Sequence, residues 1–378
     1  MGEFSHHTLP SLLLERASRH GDRVALRRKQ GGIWHDISWS RYADFVRKVA
    51  LSLKALGHER GECVAIISEN RPEWLYVDLG TQAAGGITAA VYTTNAADQV
   101  AYVVGHAGAR IFFVENEEQL DKALETRGGL PELEKIVVID MEGLRDFSDP
   151  MVMSFEEFLE LGGDADGFEE SVEACRPEDT ALLVYTSGTT GPPKGAMLSH
   201  RNLIETAGML SDANPIHESD ELLSFLPLCH IAERLLTVVC QIRHGYTVSF
   251  AESLETVSDN LREVSPTMFF AVPRIWEKFH SKVQLTMDDS TWFKKLCYRT
   301  ALGIGEDYVK ARFDGGGGGK GAAYHLAHLA VFRPLKKKLG LERTRIAISG
   351  AAPISADILR FFHALGIEMR EVYGQTEG

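Results

Sequence analysis

The sequence predicts an α/β protein with two doubly wound, mostly parallel sheets flanked by helices, one sheet in each of two subdomains. Strand-like and helix-like segments alternate along nearly all of the 378 residues, which is the pattern of repeated β-α-β units. Several strand-like runs, among them Val64-Ala65-Ile66-Ile67 and Ala181-Leu182-Leu183-Val184, are apolar at every position rather than every second one. Parallel strands covered on both faces look like this. The length also exceeds one ordinary domain and allows two sizeable cores.

The elements follow in order. Residues 24–28 and 34–38 predict a hairpin around Gly31-Gly32. From Tyr42 onward Phe45, Val46, Val49, Leu53 and Leu56 recur at helical spacing, with Ser38 or Ser40 as N-cap and Gly57 at the exit. A strand at 64–67, a helix at 72–84 and a strand at 87–92 come next. Further strands are expected at 111–114, 136–139, 181–185, 222–226, 247–250, 268–272, 346–349 and 368–373. The segment 143–177 is acidic and poor in strands, which places the subdomain boundary there and divides the chain into 1–175 and 176–378. Gly315 to Gly319 is a low-complexity stretch that predicts a surface loop between helices.

Composition excludes several classes. Hydrophobic residues make up 44% and charged residues 25%, the values of a soluble globular protein. A formal charge of −13 argues against whole-molecule attraction to nucleic acid or anionic lipid. Lys336-Lys337-Lys338 is the only dense basic run, and a solvated helix face explains it as well as an anion site does. Cys63, Cys175, Cys229, Cys240 and Cys297 are scattered with no Cys-x-x-Cys pair, suiting buried thiols in a reducing cytosol. No apolar stretch approaches the ~18 residues of a membrane span, and residues 1–7 lack the basic and apolar regions of a signal peptide. The expectation is a cytoplasmic protein, with peripheral membrane contact left open.

Chemistry concentrates in Tyr185-Thr186-Ser187-Gly188-Thr189-Thr190-Gly191-Pro192-Pro193-Lys194-Gly195. Three glycines, four serine or threonine hydroxyls and one lysine follow directly on an apolar strand. Backbone N–H groups, hydroxyl donors and a cation are what a polyphosphate needs, and glycine lets the backbone approach phosphate oxygens. Pro192 and Pro193 are expected to stop the loop from continuing as helix or sheet. This is no Walker A loop, which requires Gly-Lys-Ser/Thr opening a helix.

Downstream, Tyr373-Gly374-Gln375-Thr376-Glu377-Gly378 follows a predicted strand, and ligands of α/β sheets sit at the carboxyl ends of strands. A flat ring, a hydroxyl and a carboxylate suit adenine, phosphate and Mg²⁺ respectively. Ser349-Gly350-Ala351-Ala352-Pro353 ends another strand with residues small enough for a ring to lie against backbone, and Ser355 fits an N-cap. His230, in Leu226-Pro227-Leu228-Cys229-His230-Ile231-Ala232-Glu233-Arg234, opens a helix where an imidazole can face an anion. Pro273 fits the first turn of the helix that begins Pro273-Arg274-Ile275-Trp276.

Taken together, these strings closely resemble the adenylate-forming (AMP-binding) superfamily. The stretches around His230 and Arg274 are similar to its long-chain fatty acyl-CoA synthetase branch. The likeness runs over nearly the whole chain, including Asn70-Arg71-Pro72-Glu73-Trp74. It implies the large N-terminal domain of an acyl-CoA synthetase-like fold. Thr186, Ser187, Gly188, Thr189, Thr190, Gly191 and Lys194 would grip the phosphates of ATP, and Gly350, Ala351 and Ala352 would line the adenine. By the same resemblance Tyr373, flanked by Gly374 and Gln375, would stack on adenine, and Thr376 would contact the α-phosphate. Glu377 with Thr186 would hold Mg²⁺, and His230 would stand beside the acyl carboxylate and α-phosphate. The implied reaction joins a long-chain fatty acid to AMP, releases pyrophosphate and passes the acyl group to CoA. Relatives of this kind continue for roughly 200 further residues, the scale of another domain. The expectation is therefore an N-terminal fragment, without the mobile C-terminal domain and its lysine, that turns over little alone. A fatty acyl-AMP ligase, a synthetase for another carboxylate and a non-catalytic nucleotide-binding module stand as alternatives. Acyl chain length, CoA-binding residues and oligomeric state leave no trace in the sequence.

Overall fold

A computed structural model describes residues 6–163, 165–186, 191–313 and 321–377. Contacts gather the chain into two units. The first comprises Met1–Ser219, Ser224–Phe250 and Glu377, and the second Asp220–Leu223 and Ala251–Thr376.

The first unit contains a seven-stranded sheet. Its order is Val152–Ser154, Lys135–Val138, Ala109–Val114, Cys63–Ile67, Ile87–Val91, Thr180–Thr186 and Lys194–Ser199. All neighbours are parallel except the last pair. The central strand Cys63–Ile67 is buried at every position, as its unbroken apolar run requires. Its core joins Ala65 and Ile67 to Val91, Phe112, Val114 and Val138, closed by Val100, Val104, Leu120 and Ala123 from flanking helices. From Cys63–Ile67 the chain steps to Ile87–Val91 on one side, then returns to Ala109–Val114 on the other. The crevice between Cys63–Ile67 and Ala109–Val114 is therefore the topological switch point of the sheet.

Two further features of this unit follow the sequence closely. Val24–Gln30 pairs antiparallel with Ile33–Ser38, and Gly31 and Gly32 both take positive φ, 57° and 77°, as a two-residue primed turn demands. Ser38 caps the helix Trp39–Ala55 by accepting the Arg41 N–H, and Gly57 follows at φ 79°. Thr247–Phe250 lies parallel to Val24–Gln30.

Glu221–Ser224, of which Glu221 to Leu223 belong to the second unit, runs parallel with Met268–Ala271, Ile346–Ser349 and Met369–Glu371 in that order. Helices Pro273–Asp288, Trp292–Phe313 and Ala356–Ala364 belong with them. Pro273 occupies the first turn of its helix and Ser355 caps Ala356–Ala364, both as expected. Trp276 is fully buried against Phe269 and Phe362.

The α/β class with mostly parallel, helix-flanked sheets stands. Three local readings change. The prolines at 192 and 193 do not end the sheet, because Lys194–Ser199 forms its antiparallel edge. The expected strand at 368–373 stops at Glu371. Lys336 is buried rather than solvated, on the helix Arg333–Leu339 beside Leu335 and Leu339. Gly315 to Gly319 lie outside the described residues. The cysteines are free, all buried except the half-buried Cys297.

Candidate active site

The phosphate-loop string is mounted on an antiparallel hairpin. Thr180–Thr186 enters and Lys194–Ser199 leaves, with Tyr185 opposite Gly195 and Thr186 opposite Lys194. Ser187, Gly188, Thr189 and Thr190 lie outside the described residues. Gly191 takes φ 100° with open space where a Cβ would stand, so conformation rather than crowding calls for glycine there. At Gly195 the reason is contact, since an added Cβ would lie 3.3 Å from Cζ of Tyr185. The Tyr185 ring is buried, which pushes its pKa up to about 12. Lys194 is exposed and has no acidic partner among the described residues, leaving its ammonium available for an anion. Thr186 is half-buried at the end of its strand.

His230, in the same unit, caps the short helix Ile231–Arg234. Its Nδ1 accepts the Ala232 N–H at 3.2 Å, which requires Nδ1 unprotonated and leaves Nε2 to donate outward. Desolvation lowers its pKa below the usual histidine value. A neutral donor fits a role in orienting a carboxylate or phosphate oxygen.

The segment carrying His230 is pinned on both sides by residues that the sequence left without roles. Asn70 donates to the Ser224 hydroxyl at 2.8 Å and the Leu226 carbonyl at 2.6 Å, and accepts the Leu228 N–H at 3.2 Å. On the far side the fully buried Arg234 pairs with Asp78 through two nitrogens and lies 4.7 Å over the Trp74 ring. Glu233 is also buried, accepting from Ser224 at 2.7 Å and Thr237 at 2.9 Å. Burial outweighs these donors and raises its pKa to about 7. Asn70, Trp74 and Asp78 come from one stretch of chain, and helical spacing between Trp74 and Asp78 was the signal that could have found them.

In the second unit Gly350 packs where a Cβ would lie 3.0 Å from Val372 Cγ1 and 3.1 Å from Phe270 Cε2. Ala351 takes φ 70°, a left-handed conformation rare and costly outside glycine. Ala352 is exposed beside it. The Val372 N–H donates to the Ser349 carbonyl at 2.9 Å, so the chain leaves the sheet directly before Tyr373. The Tyr373 ring is 85% exposed, a free face for stacking, and Gln375 donates to its hydroxyl. Gly374 is exposed and Thr376 half-buried. Glu377, exposed, groups with the first unit.

The switch-point crevice, where doubly wound sheets most often take ligands, is filled by the chain itself. The Glu69 N–H donates to Glu115 Oε2 at 2.8 Å, Arg71 lies 3.5 Å from Glu115 Oε1, and Thr93 donates to Glu69 at 2.6 Å. Burial raises the Glu115 pKa in spite of these partners.

Thr186 and Glu377 are hard oxygen donors of the kind Mg²⁺ prefers. Among the described residues no group of three or more His, Cys, Asp or Glu forms a metal cage. That donor set fits a magnesium arriving with phosphates, since Mg²⁺ is usually held by one or two carboxylates plus phosphate oxygens.

Comparison with known proteins agrees with the resemblance. A family model for AMP-binding enzymes matches residues 13–378. The long-chain-fatty-acid–CoA ligase ACSBG2 of Xenopus laevis is 36% identical over 98% of this chain and 51% of its own length. Its Homo sapiens counterpart is 35% identical over 98% and 56%. The chain thus spans about half the length of the curated relatives it matches. Among solved structures, the A-PCP didomain of a carboxylic acid reductase from Segniliparus rugosus in complex with AMP superposes with TM-score 0.74. It is 21% identical and covers 98% of this chain and 53% of its own. At that identity it speaks for the fold alone.

Proposed function

Because the chain belongs to the AMP-binding enzyme family, we propose that it serves long-chain fatty acid–CoA ligation by holding ATP for attack by a fatty acid carboxylate. The observation that carries the reading is the identity of 35–36% to fatty acid–CoA ligases spread over 98% of this chain, with the phosphate loop inside it. Lys194 and the loop amides would neutralise the β- and γ-phosphates, which become pyrophosphate. Thr376 would steady the α-phosphate and Tyr373 would stack on adenine beside Gly350, Ala351 and Ala352. Neutral His230 would donate from Nε2 to the acyl carboxylate or an α-phosphate oxygen. Thr186 and Glu377 would hold the Mg²⁺ that accompanies ATP and stabilises negative charge on the phosphates. Positioning and charge neutralisation are the two contributions these residues can make. CoA would then take the acyl group as its thioester. A cytoplasmic location with peripheral membrane contact accords with this substrate, and among the described residues no helix is long and apolar enough to cross a membrane.

The test is titration of the 378-residue chain with ATP, with and without Mg²⁺, followed by pyrophosphate exchange dependent on a long-chain fatty acid. ATP binding that needs Mg²⁺ and weakens in Lys194→Ala and Glu377→Ala is expected, with little turnover. Nucleotide affinity indifferent to Mg²⁺ and Glu377→Ala would favour a non-catalytic module. Adenylate formation without thioester in a longer chain would favour an acyl-AMP ligase, and transfer of the γ-phosphate would refute adenylation altogether.

A further inference from the structure

Helix Ala97–Ala107 presents two rings to the base of the 185–195 hairpin. Tyr102 and His106 stand one turn apart with their rings stacked at 5.5 Å. His106 Nδ1 lies 3.0 Å from the Tyr185 hydroxyl, the two rings meeting edge-on at 5.7 Å. The Tyr102 hydroxyl donates to the Pro193 carbonyl at 2.9 Å. One helix therefore holds the strand that enters the loop and the residue at which the loop ends.

The contact at Pro193 does what the backbone cannot. The registered pairs end at Thr186 opposite Lys194, so Pro193 lies one residue beyond the ladder. Neither Pro192 nor Pro193 has an N–H with which to extend it. The Tyr102 hydroxyl supplies a donor to the Pro193 carbonyl from outside the hairpin. That peptide sets the direction in which Lys194 leaves the loop. The hairpin is also an edge of the sheet among the described residues.

We propose that Tyr102 is a positioning residue for the phosphate loop, fixing through the Pro193 carbonyl the aim of Lys194 at the β- and γ-phosphates of ATP. The inference rests on the ATP reading of this loop and adds the residue that orients it. His106, through Tyr185, steadies the entering strand in the same way. Tyr102 acts through the Pro193 carbonyl.

The test compares the 378-residue chain with its Tyr102→Phe variant, which keeps the stacked ring and removes only the hydroxyl. Amide hydrogen exchange across 191–196 reads the tie directly, and calorimetric titration with Mg·ATP and with AMP reads its consequence. Exchange is expected to quicken at Lys194 and Gly195. ATP affinity should fall about fivefold, the equivalent of one ordinary hydrogen bond at about 1 kcal/mol, while AMP affinity holds and Tm drops by no more than a few degrees. Unchanged exchange, or an equal loss for ATP and AMP, would overturn the proposal. A wild-type chain without ATP affinity would remove the functional reading and Tyr102's part in it. Quicker exchange in the variant would still establish the tie itself, so the two failures read differently.

Discussion

Glu233 offers a direct measure of what the His230 mount costs the protein. Its carboxyl is buried and accepts hydroxyl hydrogen bonds from Ser224 and Thr237, and burial raises its pKa from 4.5 to about 7. Below pH 4.5 the folded and unfolded chains both carry the proton. Between 4.5 and 7 the folded chain keeps a proton that the unfolded chain has released, so stability falls as pH rises. Above 7 the loss is complete. The gap between 4.5 and about 7, at about 1.4 kcal/mol per pH unit, comes to about 3 kcal/mol. Glutamine at this position does not titrate. Whatever constant cost Glu233→Gln carries through altered hydrogen bonding, its stability relative to wild type should climb by about 3 kcal/mol between pH 4.5 and 8. Urea unfolding of both proteins at four or five pH values across that range gives the difference free of any constant offset. A difference that stays flat, or falls with pH, would mean that the hydroxyl donors outweigh burial and that the carboxylate is comfortably ionised.

Other expectations follow from the same geometry. His200 is buried with its Nδ1 accepting the Leu9 N–H at 3.3 Å, and burial drives its pKa to about 4. Here the unfolded chain binds the proton first, so stability is lost as pH falls from 6.5 towards 4, and His200→Asn should remove this contribution and leave the opposite slope of Glu233 uncompensated in unfolding titrations. Because Glu233 and His200 slope in opposite directions over the shared window, the wild-type curve should be flatter than either variant's. Asp78→Asn would leave the fully buried Arg234 without its counter-charge, for a loss of about 3–5 kcal/mol in denaturant unfolding. Ala351→Gly relieves a φ of 70° and should stabilise by about 0.5–1 kcal/mol after the added freedom of the unfolded chain, visible as a higher Tm.

Where one residue type admits one geometry, the sequence was a good guide. Gly31-Gly32 read as the turn of a hairpin, Ser38 was one of two N-cap candidates with Ser40, and the apolar run 64–67 read as a strand covered on both faces. The edge strand Lys194–Ser199 was illegible for the converse reason. Its composition is mixed and only partly buried, and two prolines in front of it masked a ladder that needs no donor from either. Of the candidate site, the residues proposed to face a ligand stood out because their chemistry is written in short strings. Their supports were not. Asn70 reaches Leu226 and Leu228, and Tyr102 reaches Pro193, across 156, 158 and 91 positions, and nothing local in a sequence encodes such distances.

Glu115 bears on how ligand binding and folding are linked in the first unit. In many doubly wound proteins the amides at the switch point wait for a phosphate, and the fold gains stability when one arrives. Here the Glu115 carboxyl of the chain itself receives the Glu69 N–H and faces Arg71, so groups that could meet a phosphate are already paired. A thermal shift on adding ATP is therefore expected to report on the nucleotide site rather than on this crevice. Opening the crevice by Glu115→Ala would create an unmet demand for an anion, and inorganic phosphate would become a stabiliser of a protein that otherwise ignores it there.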